Sequence, residues 1–420
     1  MVPNGWFTYK FSEIVKETQL GTTERHKGEF CSDPIPLLKM GNLSWGGFNL
    51  KSLETLPRSR VDESLILKKG DFLFNTRNTP ELVGKSAVWN GELTEAIFDN
   101  NINRIVFHNS IDPFYLGLYL NNGRGKSVIN SLPAGSTSVA AIYWKDLKNI
   151  KLTLPPLPEQ KKIAQILSTW DKAIATTEKL IDASQQQKKA LMQQLLTGKK
   201  RLGQKDSSIS YKKTKYGKIP SDWDYPAIKE ISKQITKKNT ESQDLPVLSC
   251  SKHDGFVDSL KYFKKKVYSD DTSGYRIIPR HCFGFPSNHI EEGSIGLQDI
   301  YEQGIVSPIY VVFSCDKKRV NNLFLYAMLK TEHYRQIFCA ATNASVDRRG
   351  SLRWKEFSGI HVPLPSLEEQ QKIASVLTAA DKEIELLQAK LAHLKDEKKA
   401  LMQQLLTGKR RVKVEAMEMA

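Results

Sequence analysis

The sequence contains no run of about 18 uninterrupted apolar residues, which removes a membrane-spanning helix from consideration. Met1–Lys10 lacks a basic stretch followed by an apolar one, so no secretory signal is expected. Cysteine is scarce: Cys31, Cys250, Cys282, Cys315 and Cys339 are odd in number, scattered and never in CxxC spacing. That pattern predicts reduced thiols in a cytosolic, cytoplasmic protein, with no disulfide framework and no structural metal site. Acidic residues are also in deficit, with 46 Asp+Glu against 62 Lys+Arg and a formal net charge of +16. A chain this basic suits a polyanionic partner, because Lys and Arg neutralise phosphates and release counterions.

Recognisable catalytic motifs are missing as well. An adenine methyltransferase would need an Asn/Asp-Pro-Pro-Tyr/Phe segment; Asp112-Pro113-Phe114-Tyr115 fails at its third position, and no glycine-rich cofactor loop accompanies it. Asp followed by Pro reads better as a helix N-cap and first helical position. Gly123-Arg124-Gly125-Lys126-Ser127 hints at a phosphate-binding loop. Leu120 stands where the first glycine is required, so a plain basic loop is expected there. His281, Cys282 and His289 lack partners at metal-ligand spacing. The chain is therefore expected not to be an enzyme and to carry no cofactor.

What the sequence does contain is itself, twice. Residues 188–199 read KKALMQQLLTGK, and residues 398–409 repeat them at an offset of 210. At the same offset Glu159-Gln160 answers Glu369-Gln370, Leu154-Pro155 answers Leu364-Pro365, and Trp144-Lys145 answers Trp354-Lys355. The front edges match more loosely, Val2-Pro3-Asn4-Gly5-Trp6 against Ile219-Pro220-Ser221-Asp222-Trp223. A twelve-residue identity in register with such flanks marks a duplication.

Each repeat has two parts. Residues 159–197 and 369–407 hold no Pro or Gly and are rich in Lys, Gln, Ala, Leu and Glu, which predicts two long helices of about 58 Å each, stopped by Thr-Gly-Lys. In the second, Leu377, Ala380, Ile384, Leu387, Leu391, Leu394, Leu401 and Leu405 recur at alternating spacings of three and four, with Lys398 out of character. In the first, Leu167, Trp170, Ile174, Ile181, Leu191 and Leu195 follow the same positions with Thr177 and Ser184 between. This is the seam of a coiled coil. The remainder, with short apolar runs such as Phe72-Leu73-Phe74 and Tyr310-Val311-Val312-Phe313 between Gly, Pro, Asn and Ser clusters, reads as strands, plus a helix at 113–120 and another at 322–330. The stretch 199–218, with eight Lys/Arg against one acidic residue, reads as an exposed linker.

Two related units can pack with approximate two-fold symmetry, and helices so related would run antiparallel and hold two globular domains a fixed distance apart. Half-sites on DNA are spaced in the same rigid way. At Leu154–Ala164, its echo Leu364–Ala374, the two Leu-Leu-Thr-Gly-Lys endings, the Ile-Pro-x-x-Trp start at 219 and the Gly135-Ser136-Thr137 loop, the chain resembles the specificity subunits of Type I restriction-modification systems. Ala344-Ser345-Val346-Asp347 in the second repeat departs from the Gly-Ser-Thr pattern.

The resemblance implies an α+β chain: target recognition domain 1 at 1–153, spacer helix 154–198, linker 199–218, target recognition domain 2 at 219–363, spacer helix 364–408 and a tail at 409–420. It further implies double-stranded DNA as ligand and two modification subunits that use S-adenosylmethionine as partners. Restriction subunits that use ATP with Mg would complete the set. The residue types that read base edges nominate Asn75, Arg77, Asn78, Lys85, Ser136 and Thr137 in the first domain. Ser287, Asn288, Arg348, Arg349 and Arg353 are nominated in the second, with Lys264-Lys265-Lys266 as a phosphate contact. The other reading left open is a coiled-coil nucleic-acid scaffold blind to sequence.

Overall fold

The computed structural model describes residues 2–26, 33–135, 140–202, 210–342 and 351–414. The chain divides into two compact units, Met1–Glu178 with Ala389–Ala420, and Lys179–Gln388. Each unit thus consists of one globular part, half of one long helix and half of the other. In the first unit, antiparallel strands Val15–Leu20, Ile102–Phe107, Phe72–Asn75 and Ser86–Val88 lie side by side in that order. In the second, Ser232–Ile235, Tyr310–Cys315, Phe283–Pro286 and Gly296–Leu297 repeat the order. Phe72–Asn75 is buried along its whole length, which is why it reads as an unbroken apolar run; Ile102–Phe107 alternates.

The helix expected at 113–120 occupies Pro113–Leu120, with Asp112 Oδ1 accepting from the Tyr115 N–H and Pro113 opening the first turn. Its counterpart is Asn322–Leu329, where Asn321 caps Phe324. The basic loop expected at 123–127 is instead the start of a helix, Gly123–Asn130. Gly125 lies so close to the preceding helix that a Cβ on it would sit 2.2 Å from the Tyr119 carbonyl oxygen. The glycines there serve helix packing, and Gly125→Ala is expected to cost about 2 kcal/mol, read as a fall in the denaturation midpoint of the full chain.

The two long helices span Leu157–Leu195 and Leu367–Leu405, 39 residues each, and start two residues earlier than their composition suggested. Gly198 and Gly408 follow them with φ of +68°, the left-handed stop that only glycine adopts freely. Each helix end then closes a globular core. Leu405 and Leu406 are buried with Phe11, Leu116, Ile163 and Leu167 in the first unit. Leu195 and Leu196 are buried with Ile228, Phe324, Ile373 and Leu377 in the second. Gly408 packs on Pro3 and Trp6, and Gly198 on Pro220 and Trp223, so the Pro-x-x-Trp starts are seats for the helix ends.

None of the nominated seam residues is exposed. In the first unit Leu167 and Leu405 are buried and Trp170, Ile174, Leu391, Leu394 and Leu401 half-buried. In the second Ile181, Leu195 and Leu377 are buried and Leu191, Ala380, Ile384 and Leu387 half-buried. Within the first unit the two helix segments run in opposite directions, Asp171 meeting Lys398 and Glu178 meeting Lys395. Lys398, out of place in an apolar seam, is explained by its ion pair. Its repeat mate Lys188 makes the same pair with Asp381 in the second unit.

Most described residues of the stretch 199–218 are exposed, with one buried exception and some order. Arg201 is buried, and Tyr211–Thr214 pairs with Gly217–Pro220 as a hairpin. Arg201 donates to both oxygens of Asp222, at 2.9 and 2.8 Å, and to Glu369 Oε2 at 2.7 Å. These bonds hold its guanidinium above its ordinary pKa and Asp222 below the usual carboxylate range. In the first unit Arg411 pairs with Glu159 in the same way, and there Gly5 stands where Asp222 would.

Gln160 and Gln370 are pinned alike. Each is buried, accepts the backbone N–H of the helix cap (Asp112 or Asn321) and donates to two carbonyls, Ser110 and Pro155 or Arg319 and Pro365. The Glu-Gln pair of the repeat therefore ties each long helix to a globular core.

The described cysteines are free thiols; burial pushes Cys250 and Cys315 up to about 12 and Cys282 to about 11. Among the described residues no helix is long and apolar enough to cross a membrane.

Candidate nucleic-acid interface

In each unit the buried central strand delivers the chain to a surface loop at its end. In the first, Phe72–Asn75 runs into Thr76-Arg77-Asn78, and Arg77–Asn78 pairs with Ala140–Ala141. That short strand also pairs with Ala134–Gly135. The Ile142 N–H donates to the Thr76 carbonyl at 3.0 Å. In the second unit Phe283–Pro286 runs into Ser287-Asn288-His289, and the Leu352 N–H donates to the Ser287 carbonyl at 2.8 Å. Ile142 and Leu352 are 210 residues apart, so the same bond ties the same two loops in both units. In the second unit this bond brings the nominated Ser287 next to the residue that precedes the nominated Arg353.

The individual side chains differ in what they offer. Arg77 and Arg353 are exposed, and Arg353 sits at the start of helix Trp354–Ser358. Asn78 is half-buried, its Oδ1 taken by the Thr79 N–H and its amide by Asn75. Lys85 and Ser287 are half-buried. Asn288 is half-buried, and among the described residues its Oδ1 has no hydrogen-bond partner. Ser136, Thr137, Arg348 and Arg349 lie outside the described residues.

Asn75 must be withdrawn as a reader of bases. It is fully buried, its amide donates to the Arg77 and Asn101 carbonyls, and its Oδ1 accepts from Asn78. An asparagine at a strand end does for backbone groups what it would do for an adenine edge. His289, already bonded to Glu292 at 3.3 Å, shares its turn with Glu291, and the three present ligand atoms within 4.8 Å of one another. Hydrogen bonding accounts for the contact between His289 and Glu292.

Two units of one design, each tying two chain segments together at the end of a buried strand and each closed by its own copy of a repeated helix end, define a duplicated recognition module. The sequence matches the family described as Type I restriction modification DNA specificity domain over residues 58–184 and 220–396, and the chain belongs to it. It is 27% identical, over 98% of its length and 95% of the relative's, to a Methanocaldococcus jannaschii sequence assigned as the MjaX type I restriction enzyme specificity subunit. It is also 27% identical to the MjaVIII specificity subunit of the same organism, over 84% of this chain and 82% of that one. Its fold is similar to that of the type I restriction-modification S subunit from M. genitalium, with a TM-score of 0.55 at 14% identity, covering 96% of this chain and 99% of the other.

Proposed function

We propose that this chain selects the DNA target of a type I restriction-modification complex and leaves the chemistry to partner subunits. It reads an asymmetric two-part duplex site, one part per unit. The observation that carries this reading is the repeated loop junction, Thr76 with Ile142 and Ser287 with Leu352. Its framework is common to the units, while Arg77-Asn78 stands in one and Asn288-His289 in the other. Common framework with different side chains is what reading two different half-sites requires. The family and the excess of 16 positive charges support it.

In this reading the long helices pair as a continuous antiparallel coiled coil that fixes the distance between half-sites, and their outer faces dock two modification subunits and the restriction subunits. Leu180 and Leu386 are exposed off the seam, at 49% and 72%, which suits a surface that a partner covers. S-adenosylmethionine and ATP with Mg belong to those partners.

The test is selection from random duplexes by the chain assembled with its methyltransferase partner. A two-part consensus is expected, and equal retention of all duplexes would overturn the proposal. Arg77→Ala is expected to lose about 1–3 kcal/mol of discrimination at one position of one half-site, and Asn288→Ala the same in the other half. Each should leave the remaining half untouched in the selected consensus.

A further inference from the structure

We propose that residues 260–267 of the second unit grip the sugar–phosphate backbone of duplex DNA; this rests on the target-reading role above. Leu260, Tyr262, Phe263 and Val267 are 52%, 49%, 43% and 46% exposed, four large apolar side chains in eight residues. Tyr262 and Phe263 meet edge to face, with ring centroids 5.1 Å apart. Set among them is a run of lysines of two kinds. Lys261 is bound to Tyr301 Oη at 2.8 Å and Lys266 to Asp270. Lys264 and Lys265 are exposed, and among the described residues their ammonium groups have no hydrogen bond or ion pair.

Lys264 also ends the short helix Ser259–Phe263 in a left-handed conformation, φ 53°, which costs a side-chain-bearing residue energy that glycine would avoid. A strained position that keeps a lysine, next to a second free ammonium group, suits a function of that charge.

Charge complementarity singles out DNA as the occupant: two unpaired ammonium groups stand in a chain with a net charge of +16. The Ser269 N–H donates to Tyr275 Oη, the neighbouring Arg276 Nε to the Pro308 carbonyl, and the Ser287 N–H to the carbonyl of the next residue, Ile309. The chain just after the segment is thus linked to the loop that carries Asn288 through a relay of three successive hydrogen bonds. Free ammonium groups meet phosphates, and the exposed Leu and Phe fit the apolar faces of deoxyriboses or a widened base step. Such a grip adds affinity to every duplex and no base preference.

The experiment measures binding of the full chain to a random-sequence duplex across a salt series. For Lys264→Gln/Lys265→Gln the slope of log K against log salt is expected to fall by about 1.8, two phosphate contacts at about 0.9 each. The control Lys382→Gln/Lys390→Gln, at exposed helix positions, should leave the slope near wild type. Phe263→Ser should weaken binding several-fold at fixed salt with the slope kept. An unchanged slope in the lysine variant overturns the proposal. So does a loss of binding to anionic lipid vesicles in place of a loss on DNA. A wild-type assembly that shows no consensus in the selection above instead sinks the target-reading role, a separate readout.

Discussion

Glu369→Ala is expected to destabilise the second unit by about 3–5 kcal/mol, whereas Glu159→Ala should cost the first about 1 kcal/mol, although the two glutamates occupy the same place in the repeat. The difference lies in what each removal leaves behind. The Arg201 side chain is 3% exposed and held between Glu369 and Asp222, so losing Glu369 strands a buried guanidinium with a single carboxylate that is itself 58% exposed. The Arg411 side chain is 42% exposed and, once Glu159 is gone, simply turns to water. By the same logic Arg411→Met should cost more than Glu159→Ala, because it leaves the 4%-exposed Glu159 carboxylate unpaired. Denaturation of the full chain, followed through the transition of each unit, measures all three. Equal losses for the two glutamates would mean that the pairs contribute by their presence and not by their burial.

The features that were legible in the sequence are those written locally. Pro113–Leu120 matches to the residue because Asp112 and Pro113 mark its start by rules that act within one turn. The long helices were legible because residues 159–197 and 369–407 hold no Gly or Pro, and because Gly198 and Gly408 mark their ends. The Gly123–Asn130 helix was missed, since two glycines argue against a helix unless one knows that Gly125 lies against the Tyr119 carbonyl. Arg201 was read as linker because its partner Glu369 is 168 residues away, and nothing in a run of lysines marks one arginine as buried.

The repeat did hold a signal that would have found these ties. Arg201 and Arg411 are 210 residues apart, as are Glu159 and Glu369, and Asp171 and Asp381, and each pair of positions serves the same contact in its own unit. In the candidate site the fault was of another kind. Asn75 and Arg77 were equally attractive by residue type, and only burial separates them. Composition names the side chains that are able to read a base, and packing decides which of them face outward.

Shortening both long helices is expected to change the distance between half-sites without changing either half-site. Removing four residues between 175 and 190, and the four matching residues between 385 and 400, takes about one turn, or about 6 Å, from each helix. One turn is the right quantum: it keeps the seam facing its partner, because apolar positions recur every three or four residues. The Gln160, Gln370, Arg201 and Arg411 ties lie outside the deleted stretches, so each globular part keeps its attachment to its helix. At about 3.4 Å of duplex per base pair, 6 Å corresponds to about two base pairs, and the consensus gap should shorten by that amount. Removing two residues from each helix makes the sharper comparison. It rotates the seam by about half a turn and should abolish selective binding altogether. A gap that stays constant in the four-residue variant would show that the helices do not set the spacing, and would shift that role to the partner subunits.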